Sequence, residues 1–140
     1  MRRAATANAS GAHNGDLAPL LMALGARVEL ASLEGERELS LEDFFVGYRH
    51  TALRENEIVK GLKIPPVGDS ALKSRRAAQR VASFYKVSKR RTMDRSIANA
   101  GFCLWLDANR IVLEARLAFG GIGAFAMRAT EIERFLKGKT

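Results

Sequence analysis

Residues 41–65 read LEDFFVGYRHTALRENEIVKGLKIP, and this stretch decides the fold. Ser40, with Asp43 three residues on, is a helix-start signal, because a hydroxyl accepts from a free backbone N–H in a first turn. Phe44 and Phe45 supply a large apolar anchor, and Gly47 takes backbone angles that a bulky residue resists. From Glu57 the pattern turns strand-like and stops at Pro65. Glu57, Val59, Gly61 and Lys63 alternate with Ile58, Lys60, Leu62 and Ile64. Only the second set is mostly apolar, which predicts that Ile58, Leu62 and Ile64 face a core. Glu55 and Glu57 read as solvated acids of a polar loop. Pattern alone gives a loop followed by an edge strand, with no activity attached.

Upstream, Asp16 is placed to cap a helix with Pro19 in its first turn. Leu17, Leu20, Leu21 and Leu24 recur at helical spacing until Gly25 ends the run. Val28 and Leu30 alternate within a strand at 27–33, Glu34-Gly35-Glu36 reads as a turn, and 37–41 returns as the second strand of a hairpin. Downstream, Pro65-Pro66-Val67-Gly68-Asp69 is the strongest break. Three strands follow at 81–89, 98–106 and 111–119, the last two joined by Asp107-Ala108-Asn109, as suits an antiparallel meander. Thr130 and Glu133 form a capping-box pattern for a final helix to about Lys137, with Ile132, Phe135 and Leu136 as its buried face. Strands and helices in segregated order predict the α+β class.

A chain of 140 residues that is 47% hydrophobic supports one core, and no apolar run is long enough to cross a bilayer. The start, MRRAATANAS, has no apolar segment and does not read as a secretory signal. Cys103 is alone, which excludes an intrachain disulfide and fits a reducing cytoplasm. With only His13 and His50 beside it, neither an iron–sulfur cluster nor a closed zinc site can be built from this chain. Between Phe102 and Leu104, Cys103 reads as a buried small hydrophobe. No Ser–His–Asp set and no phosphate-binding glycine fingerprint before a helix is present. The net charge of +8 gathers between Lys73 and Arg95, where Asp94 is the only acid. That span reads either as a solvated basic face or as a nucleic-acid-binding module with Phe84 and Tyr85 as stacking platforms.

FFVGYRHTALRENEIVKGLKIP resembles the FFxGYRxTxLxxxEIxxxIxIP segment of the FAD-binding domain of xanthine dehydrogenases and their molybdenum-hydroxylase relatives. GDLAPLLMALGARVELAS, SFYKVSKRR and ARLAFGGIG extend the likeness, in the family's order, from about Asp16 to the end. The resemblance implies the end of a PCMH-type FAD-binding lobe at 1–66, a linker at 67–80, and at 81–140 a small lobe like the CO dehydrogenase flavoprotein C-terminal domain, an antiparallel three-stranded sheet plus helices. It implies FAD as cofactor, with Asp16, Val59 and Lys86 in contact with it and Glu57 and Ile58 as second-rank candidates. Asp16 matches the acid that closes the family's second cofactor loop. Val59 matches the position after Glu-Ile that faces the flavin ring, and Lys86 a lysine that touches the cofactor.

The likeness departs at AATANASGAHNGD, where the paired glycines are missing and Ala12 and His13 stand in place of serine and proline. The family's pyrophosphate loop would precede Met1. What the resemblance further implies is a flavin station in a xanthine dehydrogenase-like oxidoreductase of the cytoplasm. It would relay electrons from iron–sulfur clusters through FAD to NAD during purine hydroxylation. The clusters and the molybdenum cofactor would sit on partner domains. A carbon monoxide dehydrogenase or aldehyde oxidase flavoprotein is the related alternative.

Overall fold

The computed structural model describes residues 15–66, 79–90 and 94–140. His13, most of the 67–80 linker and the basic run from Lys73 to Arg76 lie outside the described residues. The chain enters through helix α1, Leu17–Ala23. Asp16 precedes it with helical backbone angles, φ −70° and ψ −35°, and its carboxylate makes no capping bond, contrary to the expected cap. Gly25, at φ +73°, ends the helix as anticipated, because only glycine takes that angle without strain. The face α1 buries is Pro19, Met22 and Ala23; of the leucine stripe, Leu21 and Leu24 pack half-buried against the core and Leu17 is exposed.

Strands β1 (Arg27–Ser32) and β2 (Gly35–Ser40) form the expected hairpin, turning at Leu33-Glu34, one residue earlier than predicted. Val28 and Leu30 are buried as their alternation requires. Helix α2, Leu41–Phe44, is a single turn, and the Ser40 hydroxyl accepts from the Asp43 N–H at 3.0 Å. Phe44 and Phe45 meet edge to face with centroids 5.5 Å apart, both buried. Burying Phe44 alone contributes on the order of 2 kcal/mol. Strands β3 (Phe45–Gly47) and β4 (His50–Thr51) close a small ladder, and the positive φ falls on Arg49, not Gly47.

Strand β5, Ile58–Lys63, pairs with β1 to complete a three-stranded sheet of order β2-β1-β5. Its burial corrects the sequence reading. Ile58, Leu62 and Ile64 are exposed, whereas Glu57 is buried and Val59 half-buried. For Ile58 the cause is a bulge: Glu29 pairs with Gly61 but Leu30 with Val59, leaving Lys60 as an extra residue. An extra residue inverts the period-two alternation, so Ile58 and Leu62 lie on opposite faces.

The second sheet has the order β6-β7-β8-β9, from Gln79–Val87, Ala98–Leu106, Val112–Gly120 and Met127–Arg128, all antiparallel. The two-residue β9 is a fourth strand beyond the three expected. Directly opposed residues share a face. One face therefore carries the rows Lys86–Asn99–Gly120, Phe84–Gly101–Ala118, Ala82–Cys103–Arg116 and Arg80–Trp105–Glu114. The other carries Phe102, Leu104, Leu117 and Phe119, against which Leu136 packs from helix α3, Thr130–Leu136. The capping box does not form: Ala129 precedes the helix without a side-chain cap, and Glu133 is buried, accepting from the Leu117 N–H at 2.8 Å and from Arg128. Ile132 and Phe135, expected inside, are exposed.

Helix α1 lies on the first of these faces. One core joins both sheets, with Met22, Ala26, Val28, Leu30, Phe44, Phe45 and Ala118 in a single cluster. The contact is close enough that a Cβ at Gly101 would stand 2.6 Å from the Pro19 carbonyl oxygen and 2.7 Å from the Leu20 Cα. Backbone atoms do not yield as side chains do, so Gly101→Ala should destabilise by about 1–3 kcal/mol. At Gly47 a Cβ meets only the His50 Cβ at 3.7 Å, and Gly47→Ala should cost less than about 0.5 kcal/mol. Urea-unfolding midpoints of the two variants check this contrast.

Candidate functional site

The N-terminal end of α1 brings two of the three sequence-predicted contacts together. Lys86 lies in β6, in the row with Asn99 and Gly120, and its Nζ donates to Asp16 Oδ2 at 2.8 Å. It also donates to the Asp94 carbonyl at 2.6 Å. The other Asp16 oxygen accepts from the Ser96 hydroxyl and from Asn99 Nδ2 at 3.3 Å. Ser96 and Asn99 are buried, whereas the Asp16 and Lys86 side chains keep 39% and 32% exposure, which leaves both open to a ligand. Burial works to raise the Asp16 pKa. The hydrogen bonds from Lys86 and Ser96, the lysine charge and Asn99 outweigh it, so the carboxylate stays ionised below the usual range.

Sequence reasoning missed Ser96 and Asn99. A signal for Asn99 exists, since asparagine is disfavoured inside an apolar strand such as Ala98–Leu106. Its Oδ1 is buried beside Gly120 and meets no donor among the described residues. A carboxylate that accepts, an ammonium that donates and an orphan amide oxygen suit a hydroxyl- and phosphate-bearing cofactor.

Val59 is not part of this cluster. It sits in the other sheet, paired with Leu30 and packed against the Phe44 core. Ile58 is exposed on that sheet. Nor do Phe84 and Tyr85 form a joint platform, because neighbours in a strand point to opposite faces; Tyr85 meets Phe102 at 5.6 Å on the far side. Cys103 is fully buried and burial pushes its thiol pKa up, against the pull of Arg80 and Arg116, as expected of an inert thiol.

A family profile described as the FAD binding domain in molybdopterin dehydrogenase matches residues 6–67, and one described as the CO dehydrogenase flavoprotein C-terminal domain matches 83–140. The chain belongs to the molybdenum-hydroxylase flavoproteins. It is similar to xanthine dehydrogenase of Blastobotrys adeninivorans, at 36% identity over 89% of this chain and 8% of that protein. It is also similar to the glyceraldehyde dehydrogenase medium chain of Sulfolobus acidocaldarius, at 30% identity over 89% of this chain and 40% of that one. The carbon monoxide dehydrogenase of Hydrogenophaga pseudoflava superposes with a TM-score of 0.81 at 26% identity, covering 94% of this chain and 42% of that one. The chain thus spans less than half of each of these three relatives. FAD is the cofactor of this flavoprotein family.

Within the molybdenum-hydroxylase stretch 41–65, Glu57 proves to be a clamp and not a solvated acid. Arg37 grips it through Nε at 2.6 Å and Nη2 at 2.8 Å, the Arg54 N–H donates to it at 2.8 Å, and Arg37 also donates to the Ala52 carbonyl at 2.7 Å. The Arg37 hydrogen bonds hold the Glu57 pKa at about 2, from an ordinary 4.5. A depressed carboxylate stabilises the fold above its unfolded value, so this contribution is complete above about 4.5 and lost as pH falls toward 2. Glu57→Gln should cost roughly 2–3 kcal/mol at neutral pH. The gap between the variant and the native chain in thermal midpoint should close between pH 4.5 and 2.5, measured by circular dichroism.

Proposed function

We propose that this chain supplies Asp16 and Lys86 to a flavin site, with Asp16 accepting from hydroxyl or ring N–H groups of FAD and Lys86 donating to it. The observation that carries this reading is the 2.8 Å ion pair between them, which ties the start of α1 to the end of β6 across 70 residues of sequence and stays partly open. FAD held there supplies electron-transfer chemistry, and the protein's part is position and charge. The ionised Asp16 keeps Lys86 aimed, and Ser96 and Asn99 keep Asp16 from turning away. Val59 would reach the ring end through its strand backbone.

The finer reading is that of a xanthine dehydrogenase-like flavoprotein in the cytoplasm, passing electrons from iron–sulfur clusters to NAD during purine hydroxylation, beside molybdenum-binding and iron–sulfur partners. The FFVGYR stretch and the xanthine dehydrogenase relatives support it. Residues 1–66 and 81–140 would form its two lobes with 67–80 as linker. The superposition on carbon monoxide dehydrogenase favours that enzyme's flavoprotein as the second reading.

FAD titrated into the full chain, alone and with a family N-terminal half added in trans, tests the assignment through quenching of flavin fluorescence. Saturable binding in either arrangement should weaken roughly tenfold in Lys86→Met and in Asp16→Asn, the scale of one charge-assisted hydrogen bond. Binding that ignores both substitutions would remove these residues from the site. No binding in either arrangement would overturn the flavin role of this chain.

A further inference from the structure

A second polar cluster lies beyond the other end of α1. A cleft of about 290 Å³ opens there, its wall including Arg27, Ser40, Arg80, Trp105, Arg116 and Arg128 and, among the described residues, no acid. Three of the four guanidiniums are held from behind: Arg27 by Glu38, Arg116 by Glu114 at 3.0 Å, and Arg128 by Glu42 at 2.6 Å and Glu133 at 2.5 Å. Arg80 differs. Among the described residues it meets no carboxylate, and it lies over the Trp105 ring at 5.9 Å while Arg116 lies over the same ring at 5.1 Å. Trp105 is 5% exposed, and its indole N–H is buried with no acceptor among the described residues.

Arg80 is the guanidinium that no carboxylate among the described residues offsets, and an anion in the cleft meets that charge more strongly where protein replaces water. Guanidinium forks match the planar or tetrahedral oxygens of carboxylate and phosphate better than any other side chain. The volume is near the lower end for small-ligand pockets, roughly 300 Å³. We propose that this cleft is a binding site for a small organic oxyanion, a phosphate or carboxylate group taken by Arg80 and Arg116 beside Trp105. It stands apart from the flavin reading, since α1 separates it from Asp16 and Lys86 and shares none of their side chains.

Trp105 is the only tryptophan of the chain, so its fluorescence reports on this cleft alone. The full chain is titrated with inorganic pyrophosphate and, separately, with citrate, against potassium chloride at matched ionic strength. A saturable fluorescence change with either probe beyond the chloride control is expected, and the tighter of the two identifies the group recognised. The dissociation constant should rise roughly ten- to hundredfold in Arg80→Gln and stay unchanged in Lys86→Met. Responses equal to the chloride control in the native chain would overturn the proposal. So would a full response surviving in a folded Arg80→Gln/Arg116→Gln variant, or one abolished by Lys86→Met.

Discussion

The approach of α1 to the second sheet at Gly101 is the constraint on which the rest depends. Helix and strand backbones meet with no side chain between them, and a Cβ on the strand would overlap Pro19 and Leu20. Packed interiors do not tolerate the gap that a larger residue would open. Because α1 is pinned there, Met22 and Ala26 reach the Phe44 and Phe45 core, and Ala118 of the second sheet joins it. The hairpin sheet is thus attached to the meander through one short helix. Gly120 repeats the device one row away, where a Cβ would meet both Asn99 Oδ1 and the Pro19 ring.

The stretch 41–65 plays a different part from the one its motif-like look suggests. Its buried acid, Glu57, is spent on Arg37 and the Arg54 N–H, so this part of the pattern preserves a folded loop. A buried acid with a bidentate arginine is costly to break, since the partner would keep its charge in a poorly solvated place.

Local features were legible in the sequence. The β1–β2 hairpin, the Ser40 turn, the paired phenylalanines and the β7–β8 meander each follow from neighbours within a few residues. What escaped depends on distant partners. The bulge at Lys60 answers to β1 and inverts the face of β5, which no alternation within residues 57–64 reveals. Glu133 abandons its capping role because the Leu117 N–H and Arg128 offer it more, and the last helix turns accordingly, leaving Ile132 and Phe135 outside. Asp16 and Lys86 were singled out by family likeness, yet their ion pair is a tertiary fact, and Ser96 and Asn99 carried no motif at all.

Geometry also explains why both polar clusters stand at the ends of α1. Four cross-strand rows line the face beneath it, and rows two residues apart along a strand span about 20 Å in all. A helix of seven residues is about 10 Å long. It crosses the middle rows, where Gly101, Ala118 and Cys103 are small, and its two ends reach only part of the outer rows, Pro19 meeting Gly120 and Ala23 meeting Trp105. The first outer row holds Lys86 and Asn99, and the last holds Arg80, Trp105 and Glu114. Residues left uncovered on an inward face must be polar, or be met by something else, because an apolar row there would expose a hydrophobic patch. This face answers with charge at both ends and puts its smallest side chains where the helix crosses. The same shortness of α1 that lets it sit so deeply therefore leaves two charged recesses, one at its start and one past its end.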